Sequence, residues 1–165
     1  MSMTPRARKF ALTAHITSSI GWFGAVAGFL ALAIAGAASR DAQVMRAAYP
    51  AMDLTYWYVI VPFGLASLLT GLVSSLGTEW GLFRHYWVLV KLLLTIPLTI
   101  LLLMHTQPVS YMANAGIERT LSGADLGWLR IQLVGDATAA LLVLLVATIL
   151  SVYRPRGMTG YGASR

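Results

Sequence analysis

The sequence predicts an all-α fold, an integral membrane four-helix bundle that occupies residues 1–165 as a single domain. Hydrophobic residues make up 58% of the chain, charged residues 11%, and the mean hydropathy is +0.71. A soluble domain of this size could not bury so much apolar surface. Four apolar stretches reach the roughly 20 residues that a helix needs to cross a bilayer, and a backbone surrounded by lipid must be helical to satisfy its polar groups.

The apolar runs divide the chain into four predicted helices joined by short loops. The first run is too long for the core of a signal peptide and is expected to remain as a membrane helix. Helices two and three should form an antiparallel hairpin, whereas a long outer loop is expected between helices three and four. The predicted helices span about residues 10–37, 52–77, 85–105 and 128–153.

Proline, glycine and serine mark further expected features. The connector at residues 41–50 is interpreted as a surface helix that stops near its proline, and Pro62 should kink helix two. The middle of the long loop is compatible with an amphipathic helix that has Ser110 as its N-cap. Gly24 and Gly28 form a GxxxG pattern, which predicts the close approach of a neighbouring helix, with dimerisation as the alternative.

The distribution of lysine and arginine near the helix ends predicts the orientation. Both terminal segments and the second connection are basic, whereas each arginine of the opposite side stands close to an acid. Both termini are therefore placed in the cytoplasm, and the protein in the cell membrane. The side of the termini carries Arg6, Arg8, Lys9, Arg84, Arg154, Arg156 and Arg165. The opposite side carries Arg40, Arg46, Arg119 and Arg130, with the acids Asp41, Asp53, Glu118 and Asp125.

Composition also excludes several classes of function. The net charge of +6 is spread over termini and loops, so no basic surface of a soluble domain is available for nucleic acid. The chain contains no cysteine, which excludes disulfides, thiolate metal sites, iron–sulfur clusters and cysteine nucleophiles. The expected partners are the lipid bilayer and a lipid-soluble substrate.

Ionisable residues inside the apolar helices are the candidates for function. Lys91 interrupts an apolar run, where an ammonium costs roughly 2.5 kcal/mol or more at the bilayer centre. It shares a helix face with Arg84 and His105. Depth divides these residues into two groups about 21 Å apart. His15 and Lys91 lie near the cytoplasmic end, and His105 and Asp136 lie near the outer end.

Each polar residue also has an ordinary structural interpretation. Lys91 can snorkel towards the headgroups, and His85 can be a plain interfacial residue. His105 and Asp136 can form an interhelical hydrogen bond that fixes packing, relay protons, or orient a metal ligand. Helix two also presents a small polar face that is interpreted as helix packing. This face comprises Ser67, Thr70, Gly71 and Ser74.

The histidine of the first helix is a candidate metal ligand. His15 shares a stripe with Trp22, and serines lie beside them. The two axial ligands of one haem iron approach it from opposite faces, so His15 and the distant His105 cannot both bind it. A haem at the cytoplasmic end would use His15 with His85, Lys91 or nothing as the second ligand.

Two segments resemble a known family. The first helix contains HITSSIGWFGA, in which a histidine precedes Trp-Phe-Gly, and the third contains WVLVKLLLTIPLTILLLMH, with a W-x-x-x-K-L signature and a late histidine. This pattern resembles the small four-helix membrane proteins around the HemJ-type protoporphyrinogen oxidases and the copper-resistance D-like proteins. The resemblance implies a bound haem b and oxidation of a porphyrinogen. The matching positions are His15, Trp22, Lys91 and His105.

The leading functional hypothesis is a haem b-binding membrane redox protein that oxidises a porphyrinogen or a quinol. His15 would be the axial ligand, Trp22 would pack on the porphyrin, and Lys91 would be the second ligand or the counter-ion of a propionate. One alternative is a small transporter or ion- or proton-binding protein whose polar path is lined by His15, Lys91, Asp136 and His105. Another is a structural subunit of a homo-oligomer or larger membrane complex.

Overall fold

The computed structural model describes residues 3–77, 85–117 and 124–153, and nearly all of these are helical. A π-helical turn at Tyr56–Ile60 joins the second α-helix to the third. The α-helices are α1 (Pro5–Ala38), α2 (Ala42–Thr55), α3 (Val61–Leu76), α4 (Tyr86–Met104), α5 (Thr106–Ile117) and α6 (Ala124–Tyr153). Predicted features outside the described residues are the turn at 78–84 with Arg84, the segment 118–123 with Glu118 and Arg119, and the tail with Arg154, Arg156 and Arg165.

The helices form four long, apolar segments, which confirms the predicted number. Each segment is long and apolar enough to cross a membrane. The second segment runs without a break from α2 through α3 over 35 residues, a length of about 52 Å. Because a hydrocarbon core is only about 30 Å thick, this helix is long enough to extend well beyond it.

The helix that begins at Ala42 does not stop near Pro50, so this prediction was wrong. Asp41 starts the helix as its N-cap and accepts a hydrogen bond of 2.8 Å from the Gln43 amide. Pro50 lies inside α2 and lacks the amide hydrogen of an ordinary helical residue. The helix continues past it because Tyr49 and Met52 on the same face are buried in the core.

The segment predicted as a long outer loop is helical where the structure describes it. α5 begins at Thr106, immediately after the end of α4. Ser110 therefore lies inside α5, and its assignment as an N-cap was wrong. Its hydroxyl instead donates a hydrogen bond of 2.7 Å to the Asp53 carboxylate of α2. Val109 and Met112 are buried in the core, so α5 packs closely on α2 rather than lying free on a surface.

The GxxxG glycines face away from the rest of the described chain. A Cβ atom added at Gly24 or Gly28 would meet no heavy atom within 4 Å, so the prediction that a neighbouring helix of this chain packs there was wrong. Other glycines make the close approaches. A Cβ atom at Gly36 would lie 2.9 Å from the Tyr49 ring, and one at Gly64 would lie 3.2 Å from Trp22.

The helix neighbours define a four-helix bundle with two helices facing each other across its diagonal. α1 packs on α3 and α6, and α4 packs on the same two helices. α1 and α4 are therefore diagonal partners. α2 and α5 pack on each other at one end of the bundle. The core of the bundle includes Trp22, Phe29, Tyr56, Leu98 and Leu133.

Candidate functional site

A polar cluster inside the bundle joins all four long segments. Lys91 of α4 reaches across the diagonal, and its Nζ lies 3.1 Å from His15 Nε2 of α1. The same Nζ donates to the Ser151 hydroxyl of α6 at 2.8 Å. From α3, the Ser67 carbonyl oxygen lies 3.0 Å and the Thr70 hydroxyl 3.3 Å from His15 Nδ1. We call these five residues the His15–Lys91 cluster.

The hydrogen bonds of His15 define its tautomer. A carbonyl oxygen can only accept, so Nδ1 carries the ring hydrogen and donates it to Ser67. Nε2 then keeps its lone pair and accepts from Lys91. An imidazole anchored through Nδ1 to a backbone carbonyl is the usual arrangement of a metal-binding histidine, whose other nitrogen faces the metal.

The polar face of α3 holds His15 as well as packing against α1. A Cβ atom at Gly71 would lie 3.0 Å from the His15 ring, so the glycine lets the imidazole approach the α3 backbone. Ser67 also forms a 2.8 Å hydrogen bond with Ser19 of α1. The interpretation of this face as helix packing is therefore correct, and its serine and threonine have the further effect of orienting His15.

A large cavity lies beside the His15–Lys91 cluster. Its volume is about 1140 Å³, and α1, α3, α4 and α6 all contribute to its mainly apolar walls. Small-molecule sites usually measure roughly 300–1,000 Å³, so the space is sufficient for a large, mostly apolar ligand. The cluster supplies polar atoms to the wall, and Arg8 adds a second cation.

Trp22 lies between this cavity and a smaller one. Its side chain is only 2% exposed, and it contributes to the walls of both cavities. Its indole Nε1 is buried without a hydrogen-bond partner among the described residues. Packing of Trp22 on a porphyrin stays a prediction, and its observed place is the apolar layer between the two ends of the bundle.

His85 is not part of the cluster. It immediately precedes α4 with an extended backbone, and its ring centroid lies 6.5 Å from that of Trp87. It does not contribute to the wall of the large cavity. The geometry therefore gives no support to His85 as a second ligand with His15.

The predicted pair at the other end of the bundle is present. His105 Nε2 lies 2.9 Å from Asp136 Oδ2, and His105 Nδ1 lies 2.9 Å from the Leu101 carbonyl oxygen. The neighbouring carbonyl, that of Leu102, accepts a hydrogen bond from the Tyr56 hydroxyl. This group sits at a cavity of about 60 Å³ with mostly apolar walls.

Sequence reasoning missed several partners. Ser151 lies in an apolar run and was not expected to bind Lys91, although the two residues have the same depth on antiparallel helices. Arg130 was expected only as one of the charges near the helix ends. In the structure its guanidinium lies 5.9 Å from the centre of the Tyr49 ring. The link from Asp53 to Ser110 was also not expected, because it depends on how α2 and α5 pack.

The donor set limits the kinds of metal site. Among the described residues, no group of three or more histidine, aspartate or glutamate side chains could hold a metal ion. A metal at the large cavity would thus depend on His15 and on ligands from a cofactor. No protein family, characterised protein or solved structure gives a significant match to the chain.

Proposed function

We propose that this protein is a multi-pass membrane protein that binds haem b in the large cavity and has a redox function. The observation that carries the proposal is the hydrogen bonding and position of His15. Its Nδ1 is anchored on Ser67, and its Nε2 lone pair stands beside Lys91 at the wall of a cavity of about 1140 Å³. This arrangement would offer a haem a histidine nitrogen for its iron, a cation and an apolar space in one place.

The charge of Lys91 suits a propionate partner, because a propionate is an anion. Its Nζ lies 3.1 Å from His15 Nε2 and contacts the lone pair that would bind the iron. Lys91 would therefore have to move before His15 could bind a metal. The flexible lysine stem allows the ammonium to turn to a propionate, which would free the His15 lone pair.

The other residues of the cavity fit an amphipathic anion. Arg8 lies at the wall together with Lys91 and gives a second positive charge. The apolar walls would bury the macrocycle and exclude water from it. Bound haem would supply one-electron redox chemistry, with electrons from a lipid-soluble porphyrinogen or quinol. In this proposal the four long segments span the cell membrane with both termini in the cytoplasm.

The geometry favours haem binding over transport along the bundle. Trp22, Phe29 and Leu98 form an apolar layer between the two polar ends. Along α4, the hydroxyls of Thr95 and Thr99 donate to carbonyl oxygens of their own helix. The hydroxyl hydrogens of both threonines are therefore already used within α4 and are not available to a transported ion or proton.

The test is an absorption spectrum of the full-length protein in detergent, first oxidised and then reduced. We expect a Soret band that shifts on reduction in the wild type and in His85→Ala, and loss of the haem in His15→Ala. His85→Ala is the matched control because His85 lies outside the cavity. Helical circular dichroism should be equal in all three proteins. A wild type without a Soret band or extractable porphyrin would refute the proposal.

A further inference from the structure

The end of the bundle that holds α5 contains a second site, formed by His105 and Asp136. We propose that these two residues form a proton-binding dyad, which holds one proton between imidazole and carboxyl and exchanges it with water at that end. Neither residue contributes to the wall of the large cavity. The dyad therefore lies apart from the proposed haem site.

Both ring nitrogens of His105 face oxygen atoms. Nδ1 lies 2.9 Å from the Leu101 carbonyl oxygen, which can only accept, so Nδ1 carries a hydrogen. Nε2 lies 2.9 Å from Asp136 Oδ2. With neutral imidazole and ionised carboxylate, this contact would oppose a lone pair to an anionic oxygen. A proton on either Nε2 or Oδ2 removes the repulsion.

The pair holds the same number of protons whether the proton is on His105 Nε2 or on Asp136 Oδ2. Imidazolium with carboxylate and neutral imidazole with carboxylic acid each hold one proton more than the repulsive state, and each pair has zero net charge. The contact has the length of an ion pair, and Oδ2 has no aligned hydrogen bond. A neutral pair also avoids placing a net charge against the apolar wall of the small cavity.

Few charged side chains line the small cavity in the part of the chain that the structure describes. The wall of the small cavity has contributions from α1, α4, α5, α6 and the π-helical turn. Among the described residues of this wall, the titratable groups besides the dyad are limited to Tyr56, whose hydroxyl is bound to the Leu102 carbonyl. Arg130 of α6 lies nearly two turns from Asp136, over Tyr49.

Exchange with water requires access, and both side chains are partly exposed although Asp136 Oδ2 itself is buried. The relative exposure is 20% for His105 and 38% for Asp136. The pair also lies where α4 ends and α5 begins. In this proposal, a proton released by the dyad would leave at this end of the bundle and would not cross the apolar layer around Trp22.

The experiment is nitrogen-15 NMR of histidine-labelled protein in liposomes, combined with infrared spectroscopy of the carboxyl groups. The chain has 3 histidines, so the signals can be assigned with single variants. Near neutral pH we expect either a doubly protonated His105 ring or a protonated Asp136 carboxyl. At higher pH, the wild type should release one proton per chain more than Asp136→Asn does.

Asp53→Asn is the matched control, because Asp53 is a carboxylate at the same end that pairs with Ser110 instead of a histidine. It should leave the His105 signals and the extra proton unchanged. In Asp136→Asn, His105 should be neutral with its hydrogen on Nδ1. A wild type in which His105 is singly protonated while Asp136 is ionised, at every pH at which the protein is folded, would overturn the proposal.

Discussion

Lys91 holds an ammonium group in a helix that is otherwise almost wholly apolar. Its partners are the lone pair of His15 and the hydroxyl of Ser151, both of which are neutral acceptors. Within the cluster no carboxylate balances its charge. An uncompensated cation of this kind is unfavourable for folding, and the anionic group of the proposed ligand would balance it.

Replacing Lys91 with methionine should therefore separate function from stability. Lys91→Met is expected to keep or raise the free energy of unfolding, by less than the roughly 2.5 kcal/mol that lysine costs at a bilayer centre. Haem content should fall because the propionate loses its cation. The measurements are thermal unfolding in detergent, followed by circular dichroism, and haem per chain.

Thr95→Val is the control for that experiment. Thr95 lies on the same helix and wall, but its hydroxyl donates to the carbonyl oxygen of Lys91 within α4. This change should alter neither haem content nor unfolding by much. A melting temperature that drops strongly in Lys91→Met would show that the lysine has a structural role instead.

At the scale of single elements, proline acts differently at two positions of the second segment. Pro50 lies within α2, and the helix is held together past it by buried side chains. Pro62 follows the π-helical turn at Tyr56–Ile60, where the extra residue of the turn accommodates local disruption of the helical hydrogen bonds. The turn buries both Tyr56 and Ile60, so the Tyr56 hydroxyl can reach α4.

Two glycines of α1 should respond oppositely to alanine. Gly36→Ala would place a methyl group 2.9 Å from the buried Tyr49 ring, and overpacking of this kind costs about 1–3 kcal/mol. Gly28→Ala meets nothing within 4 Å and gains up to about 1 kcal/mol from helix propensity. Thermal unfolding of both variants in the same detergent measures the difference. Equal stability of the two would contradict the packing of α1 on α2.

For the whole molecule, the arrangement of the segments separates two polar sites. The His15–Lys91 cluster occupies one end beside the large cavity, and the dyad occupies the other end beside α5. The apolar layer with Trp22 lies between them. Association through the outward Gly24 and Gly28 stays a prediction, for which the structure shows an open helix face.

The orientation of the molecule can be tested because the sequence contains no cysteine. Thr4 and Gln43 are both exposed and lie just before and just after the long helix α1. In intact cells, a membrane-impermeant maleimide should label Gln43→Cys but not Thr4→Cys, and both should react after lysis. The opposite labelling pattern would place the termini outside, and equal labelling in sealed cells would contradict a membrane-spanning α1.

The sequence by itself determined the four long apolar helices, since composition and helix length are properties of local segments. Depth along those helices also predicted that His15 approaches Lys91 and that His105 approaches Asp136, and the structure shows both contacts. Depth requires only the rise per residue, which is the same for every α-helix.

Only the tertiary structure decided what depends on the rotation and packing of whole helices. Ser151 as a partner of Lys91, the outward direction of Gly24, and the continuation of α2 through Pro50 belong to this class. The physical reason is that the long helices of this chain are apolar on most of their sides, so their hydrophobic pattern does not define one buried face. Which side meets a neighbour is then set by the fit between side chains, and a pattern of hydrophobic residues does not contain that information.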